Sequence, residues 1–408
     1  MNVDITEPFT CIRVQKGSPV KTIGAHEVQG IVKHFQDLKD PRSHVNQRHL
    51  LVDVIVIAVV GVIAGADGPT AIALWAHAQE PWLRQYLRLP NGIPSRDTIG
   101  RVLQALKPAA FQQCFAAWLT SICESQPADE SDAEKSPRQI AIDGKCLRRS
   151  HDHRRGLGPL YLVNAWATDQ GIALGQLAAE EKSNEITAIP QLLDQLDLTG
   201  AVVTIDAAGC QKNIADEIIS GGGDYVLALK GNQGNLHCGV VKLFDELLEK
   251  DFRGVAVSHH MEHEEGHGRV EQRDYYQINV PEDFPESEKW TGLKTFGLAI
   301  RRCTMRGQET IEKRYYINSL SRNKQRFARY VRGHWGIENK LHWILDMTFR
   351  EDECRVRERC LADNLGWLRR MALTLLKQHP GRHSLVMKRR LAGWSVGFLM
   401  QVLTGKTS

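Results

Sequence analysis

Residues 123–137 read CESQPADESDAEKSP, a polar, acidic stretch with prolines at 127 and 137, and the hydrophobic period differs on its two sides. Such a composition makes a linker. Before it, apolar residues recur every three or four positions, as in Ile31, Phe35 and Leu38, the spacing of an amphipathic helix. After it, short β-prone runs alternate with helical ones. The chain is thereby constrained to a helical domain over 29–122 joined to a mixed α/β domain. Residues 1–28 show no period and are expected to form a loosely held tail.

The most apolar run, Val54–Ala66, lies between Asp53 and Asp67. It is shorter than the roughly 18 residues of a membrane span and predicts a buried helix, so no membrane partner is expected. After the break at Asn91–Pro94, Ser95 suits the N-cap of a helix through Ile99, Val102, Leu103 and Leu106. Arg96 and Arg101 would let that helix enter a DNA groove; one more helix of a bundle fits the same pattern. The nine cysteines include no C-x-x-C pair, and the N-terminus has no basic stretch followed by an apolar core. Both point to reduced thiols and a cytoplasmic protein. Apolar residues at 42% and charged residues at 25% exclude a disordered or fibrous chain. A net charge of +4 is too small to establish a nucleic-acid partner, so the distribution of charge carries the argument.

Beyond the linker, Gln139–Ile142 is a strand, and Tyr161–Thr168 and Ile172–Leu177 flank the hairpin signal Asp169-Gln170-Gly171. A helix is predicted over Ile189–Leu196 with Pro190 in its first turn. Strand Ala201–Ile205, helix Lys212–Ser220 and strand Tyr225–Leu229 follow. The order is three antiparallel strands, then helix, strand, helix, strand. A helix continues to Leu248, strands fill most of 253–319, and helices run from Ser321 onward.

Two strands end on an aspartate followed by small residues: Asp143-Gly144, and Asp206 before Ala207-Ala208-Gly209. If the strands are neighbours, their ends lie about 5 Å apart. Two carboxylates that close repel unless a cation sits between them. Hard divalent ions such as Mg²⁺ accept such oxygens, and metal ions serve phosphoryl transfer. Each aspartate alone also fits an ordinary turn, and Asp206 fits a helix cap. Lys145, Arg148, Arg149, Arg154 and Arg155 cluster after the first aspartate, as a phosphate-holding segment or a solvated face. Lys230-Gly231-Asn232-Gln233 fits a phosphate cradle or a plain strand-to-helix turn. A third acid, Glu338, shares a stripe at i, i+4 and i+8 with His334 and His342, which also suits a solvated face or, less simply, a zinc site. Asp346, two turns further along, would lie too far away to share its metal.

Together these residues resemble the DDE-type insertion-sequence transposases, specifically the H-repeat-associated (ISAs-type) group. The motifs that carry the resemblance are DPR at 40–42, GIPSRDT at 92–98, AIDGK at 141–145 and KSNEI at 182–186. TIDAAGCQ at 204–211, DYVLALKGNQ at 224–233, GHGRVE at 266–271 and HWGIENKLHWILD at 334–346 complete them, so the likeness spans Phe35 to the C-terminus. It implies an α/β fold with an RNase H-like core, a mixed five-stranded sheet with helices, interrupted by a β-rich insertion and preceded by an all-helical domain. The core would occupy 138–234 and 321–380, the insertion 235–320 and a basic tail 381–408. Strands one and four would pair in parallel. Asp143, Asp206 and Glu338 would be the catalytic, metal-holding triad for Mg²⁺, with Mn²⁺ as a substitute. Double-stranded DNA would be the partner, as terminal inverted repeats and as target, engaged by a homodimer. Lys145, Arg148, Arg149, Lys230, Asn232, Gln233, Arg332, His334 and Trp335 would face it. The sequence departs from wider relatives, which carry Tyr, Arg and Lys where Val331, His334 and Leu345 stand. Two other readings remain: a catalytically inactive DNA-binding remnant, and a zinc peptidase through the H-E-x-x-H pattern of His263 and His267.

Overall fold

The computed structural model describes residues 25–124, 137–179, 185–266 and 268–405. Most of the expected tail and linker, the first three residues of KSNEI, and His267 lie outside them. The helical part comprises α1 (Ala25–Phe35), α2 (Leu51–Ile63), α3 (Pro69–Ala78), α4 (Glu80–Leu83), α5 (Arg96–Ala105) and α6 (Pro108–Glu124). Helix α1 thus reaches into the segment expected to be tail. The apolar run forms α2, buried along nearly its whole length. Its one acid, Asp53, accepts the Leu89 N–H at 2.9 Å, so the buried carboxylate is satisfied. Ser95 caps α5 by accepting from the Thr98 N–H. Ile99, Val102 and Leu103 are buried, so the apolar side of α5 joins the bundle while Arg96 and Arg101 stay exposed. No helix among the described residues is long and apolar enough to cross a membrane.

The α/β part runs β1 (Gln139–Leu147), β2 (Leu160–Ala167), β3 (Ile172–Ala179), α7 (Glu185–Leu193), β4 (Val202–Ile205), α8 (Lys212–Ser220), β5 (Asp224–Leu229) and α9 (Gly234–Glu249). Then come β6 (Val257–Gly266), β7 (Arg269–Asn279), β8 (Thr295–Met305) and β9 (Gln308–Asn318). Helices α10 (Lys324–Ile337), α11 (Trp343–Met347), α12 (Arg359–Gln378), α13 (Leu385–Trp394) and α14 (Val396–Thr404) close the chain. One nine-stranded sheet has the order β3-β2-β1-β4-β5-β9-β8-β7-β6. Strands β1, β4 and β5 are parallel, and the remaining pairs are antiparallel. The five-stranded core is therefore extended, strand by strand, by the β-rich insertion through the β5–β9 pair. Helix α7 starts earlier than expected, with Pro190 inside it.

Side-chain alternation along β1 sorts the two faces. Ile140 and Ile142 pack with α7, α8 and α9 residues such as Leu192, Ile214 and Val240. Ala141 and its neighbours on β2 pack with Trp367 and Met371 of α12 and with the N-terminal bundle. Helix α10 covers the second face further along, through Phe327, Tyr330 and Val331 against Val202 and Val226. The helical part and the C-terminal helices thus share one core.

The C-terminal segment is not a basic tail. Lys388 is buried with Nζ on the Leu376 and His379 carbonyls at 3.2 and 2.5 Å. Arg389 is buried against the Val62 and Thr348 carbonyls and Asp67. Carbonyls at helix ends need donors, and these cations supply them.

Candidate active site

Strand β1 continues past Asp143 to Leu147, because β2 keeps pairing with it as far as Leu147 opposite Leu160. Strand β4 ends at Ile205, which stands opposite Ile142 in the parallel pair. The next position on each strand is an aspartate, so Asp143 and Asp206 are lateral neighbours, about 5 Å apart at the backbone. The alternation that buries Ile142 against α7 turns Asp143 toward α10. Asp206 accepts the Ala208 and Gly209 N–H groups on Oδ1 at 3.0 and 3.3 Å. It therefore shapes the following turn as well as facing the cavity. Asn232 donates to the Ala207 carbonyl at 2.7 Å, and Gln233 to the Cys210 carbonyl at 2.9 Å. These two amides, expected to face DNA, are instead committed to holding the loop after Asp206.

Helix α10 approaches the sheet at Gly333, where an added Cβ would collide with the Gln139 amide. Gln139 in turn donates to Thr204 Oγ1 at 3.1 Å and to the Tyr330 carbonyl at 2.8 Å. His334 Nδ1 lies 3.2 Å from the same Thr204 hydroxyl. Burial pushes the His334 pKa down to about 4, so the ring is neutral near pH 7 and offers a hydrogen bond rather than a positive charge. A π-helical turn over Glu338–His342 then joins α10 to α11. Its extra residue per turn shifts the helical phase of the residues after it. The expected single stripe is split: His334 faces β4, while His342 meets the acids.

His342 Nδ1 lies 3.0 Å from Glu338 Oε2 and 3.5 Å from Asp143 Oδ2. One ligand atom from each of these residues falls within 4.8 Å of the others. Burial pushes the Asp143 pKa up to about 6, His342 pulls it back, and the Asp206 and Glu338 charges raise it further. The hydrogen bond from His342 holds the Glu338 carboxyl below its usual range, against partial burial. A cavity of about 610 Å³ is lined by Asp143, Asp206, Lys230, His334, Trp335 and Glu338, among others. The three carboxylates are the hard oxygen donors a small divalent ion takes, and their mutual repulsion at Asp143 is what such an ion relieves. The residues present therefore fit a divalent metal ion, with Asp143, Glu338 and His342 close enough to share one.

The remaining expected residues separate. Lys145 is 7% exposed and its ammonium contacts Asp346 at 2.7 Å and Asp352 at 3.6 Å. It is a buried ion-pair partner rather than an open phosphate contact, because β1 carries it under the α11 segment. Asp346, set aside as too distant for the metal, is its counter-ion. Arg148 and Arg149 are exposed, and Arg148 reaches Asp352 at 3.1 Å. Lys230 is exposed at the cavity. Arg332 spans to Glu262 and Glu264 of β6, at 3.6 and 2.5 Å. Trp335 is 42% exposed and carries the Arg314 guanidinium 4.1 Å from its ring centre. The peptidase pattern fails: His263 and Glu264 lie in β6, where successive side chains point to opposite faces, and Glu264 is held by Arg273 and Arg332. His342 was the residue missing from the expected site. Its i+4 relation to Glu338 was visible, but its contact with Asp143 was not.

Residues 134–375 match the model of the transposase DDE domain, and residues 32–119 match the DDE_Tnp_1-associated model. The chain is 36% identical over 387 residues to the "H repeat-associated putative transposase YhhI" of Escherichia coli K12, covering 93% of this chain and 99% of that one. It is 38% identical over 354 residues to the "Putative transposase YncI" of Escherichia coli O157:H7, covering 86% and 88%. A solved piggyBac transposase synaptic complex with hairpin DNA matches 92% of this chain and 79% of that one, at a TM-score of 0.40 and 10% identity, too loose a likeness to carry an argument. With a parallel strand pair presenting two aspartates, a helix presenting a glutamate, and family models and relatives that span most of its length, the chain belongs to the DDE transposase family.

Proposed function

We propose that this protein cuts DNA at the ends of an insertion sequence by metal-dependent phosphodiester hydrolysis and then joins the freed ends to target DNA. The observation that carries the reading is the meeting of Asp143, Glu338 and His342 within 4.8 Å, with Asp206 in the same cavity. Asp143, Asp206 and Glu338 would hold Mg²⁺, or Mn²⁺, which tolerates the neighbouring imidazole nitrogen more readily. A divalent ion supplies an activated oxygen nucleophile and neutralises charge on the leaving oxygen.

In the first step a water oxygen bonds to the phosphorus at the element end. The bond to the 3′ oxygen breaks, and that oxygen leaves as a 3′-OH after taking a proton. In the second step this 3′-OH attacks a target phosphodiester and releases a target 3′-OH. No covalent enzyme intermediate is needed. Lys230 at the cavity would meet the phosphate, while Asn232 and Gln233 hold the Asp206 turn. His334, neutral and bonded toward Thr204, keeps α10 seated on β4. Two symmetric element ends call for a symmetric homodimer.

The test uses the full chain and a plasmid carrying the element's own terminal repeats, incubated with MgCl₂, MnCl₂ or EDTA. Nicks with 3′-OH ends are expected with either metal and none with EDTA. Asp143→Asn, Asp206→Asn and Glu338→Gln should each abolish them while DNA binding survives. Wild-type cleavage by Asp143→Asn would overturn the reading.

A further inference from the structure

The loop between β1 and β2 and the loop before α12 meet on the surface beside the acids. The Arg359 guanidinium donates to the Gly158 carbonyl at 2.7 Å, and Arg148 reaches Asp352 at 3.1 Å. The meeting concentrates exposed arginines from both segments: Arg149 and Arg154 from the first, Arg355 and Arg357 from the second. None of these four forms an ion pair among the described residues. The nearby carboxylates all have closer partners. Asp352 serves Lys145 and Arg148, Asp152 accepts the Arg154 N–H at 3.1 Å and faces Arg155 at 3.8 Å, and Glu358 caps α12. Glu353 is held by Arg350 and only felt at longer range by Arg149 and Arg355. Like charges that outnumber their counter-ions repel at a cost that a polyanion would relieve.

The insertion face offers a contrast. Arg269, Arg273, Arg301, Arg314 and Arg332 line a cavity there, yet each is already paired with a glutamate. Of the two basic surfaces, the two-loop patch is the one in which four arginines form no close ion pair among the described residues, Arg149 and Arg355 sharing the more distant Glu353, itself held by Arg350.

Its position relative to the acids is also fixed. Lys145 lies between them, close enough to lower the Glu338 pKa, and shares Asp352 with Arg148. The patch therefore lies at the end of β1 beside the Asp352 segment, which Lys145 links to the acids. Strand β1 carries the chain four residues from Asp143 to its end at Leu147, and Arg148 opens the turn beyond it, so at most about 16 Å of chain separates the two at roughly 3.3 Å per residue. At about 3.4 Å per nucleotide along one strand, this is at most about five base pairs of duplex.

Resting on the reading of the acids as a DNA-cutting centre, we propose that Arg149, Arg355 and Arg357 form a composite phosphate-binding patch that holds duplex DNA within about five base pairs of the scissile phosphate. All three side chains are exposed, so replacement leaves the core intact. The test titrates a fluorescein-labelled 30-bp duplex of the terminal repeat with the full-length protein in EDTA, across a series of KCl concentrations. The Arg149→Gln/Arg355→Gln/Arg357→Gln variant should bind about tenfold or more weakly at 0.15 M salt. Its slope of log K against log salt should fall by about 2.7, or roughly 0.9 per charge. A control variant, Lys250→Gln/Arg253→Gln/Lys294→Gln, removes three exposed cations elsewhere and should keep the wild-type slope. An unchanged slope in the first variant, or an equal fall in the control, overturns the patch. Because binding is read without metal, failure of wild-type cleavage in the Mg²⁺ assay would sink the catalytic reading and leave this result standing.

Discussion

His342 Nδ1 stands 3.0 Å from Glu338 Oε2, across a single π-helical turn of the chain. The imidazole is 3% exposed and also reaches toward Asp143 at 3.5 Å, so in the metal-free protein it is the polar group that spans two acids. His342→Ala should lower the stability of the metal-free protein by about 2 kcal/mol, from a lost hydrogen bond to a charged group and the space left behind. The same variant should show a larger rise in melting temperature with MgCl₂ than the wild type, since the ion then relieves more repulsion. Thermal unfolding with and without MgCl₂ checks both; an equal metal-induced rise would count against the bridging role.

Acid should oppose metal binding. Burial first, and then the neighbouring Asp206 and Glu338 charges, raise the Asp143 pKa to about 6, against the pull of His342. The folded value lies above the unfolded one, so the proton is held more tightly in the folded state. Ionisation thus costs stability as pH rises from about 4 through 6. Metal affinity should fall about tenfold per unit below pH 6. Asp143→Asn should stabilise the metal-free protein by about 1–2 kcal/mol at pH 8 and leave it unchanged near pH 3. Isothermal titration with MnCl₂ at pH 5 and 7, and urea midpoints at pH 3 and 8, measure these effects. Equal affinity at pH 5 and 7 would be inconsistent with them.

Gly333 should resist even alanine. A Cβ there meets the Gln139 amide, which is itself tied to Thr204 and Tyr330. Gly333→Ala should cost about 2 kcal/mol by overpacking and tilt α10, weakening cleavage more than DNA binding. Adding Gln139→Ala should recover part of the loss. Urea midpoints of the single and double variants form the cycle; strict additivity would remove the steric explanation.

Behind the site, Arg370 and Glu351 form a fully buried pair at 2.7 Å. Arg370 Nε also donates to Asn164 Oδ1 at 2.5 Å, and Asn164 lies 3.5 Å from His342 Nε2. Arg370→Met leaves Glu351 with only the buried Arg369 at 3.8 Å as a counter-ion and should destabilise by about 3 kcal/mol, whereas Arg370→Met/Glu351→Leu, which in turn strips Arg369 of that partner, should recover only part of it. Chemical denaturation decides it, a double variant no better than the single being the adverse result.

Much was legible in the residues. Ile140–Ile142 and Val202–Ile205 are apolar runs of strand length that stop at an acid, so Asp143 and Asp206 were candidates from local pattern alone. Helix α5 followed from Ser95 and the spacing of Ile99, Val102 and Leu103. Local pattern misled where the deciding contact is distant. Lys145 and Arg148 look alike in sequence, yet β1 carries Lys145 beneath Asp346 and Asp352 while Arg148 emerges. Lys388 and Arg389 look like a solvated basic end, yet the carbonyls they satisfy belong to α2, the end of α12 and the loop after α11.

By itself, then, the sequence determined most element types and the break between helical and α/β parts, because period and turn chemistry act over a few residues; it offered Asp143 and Asp206 as strand-end candidates, while Glu338 joined them only through the family resemblance. The tertiary structure decided that Asp143 neighbours Asp206, that the insertion extends the core sheet, and that His342 rather than His334 meets Glu338. These depend on strand register and on the phase of a π-helical turn, and both are set by packing between segments far apart in the chain.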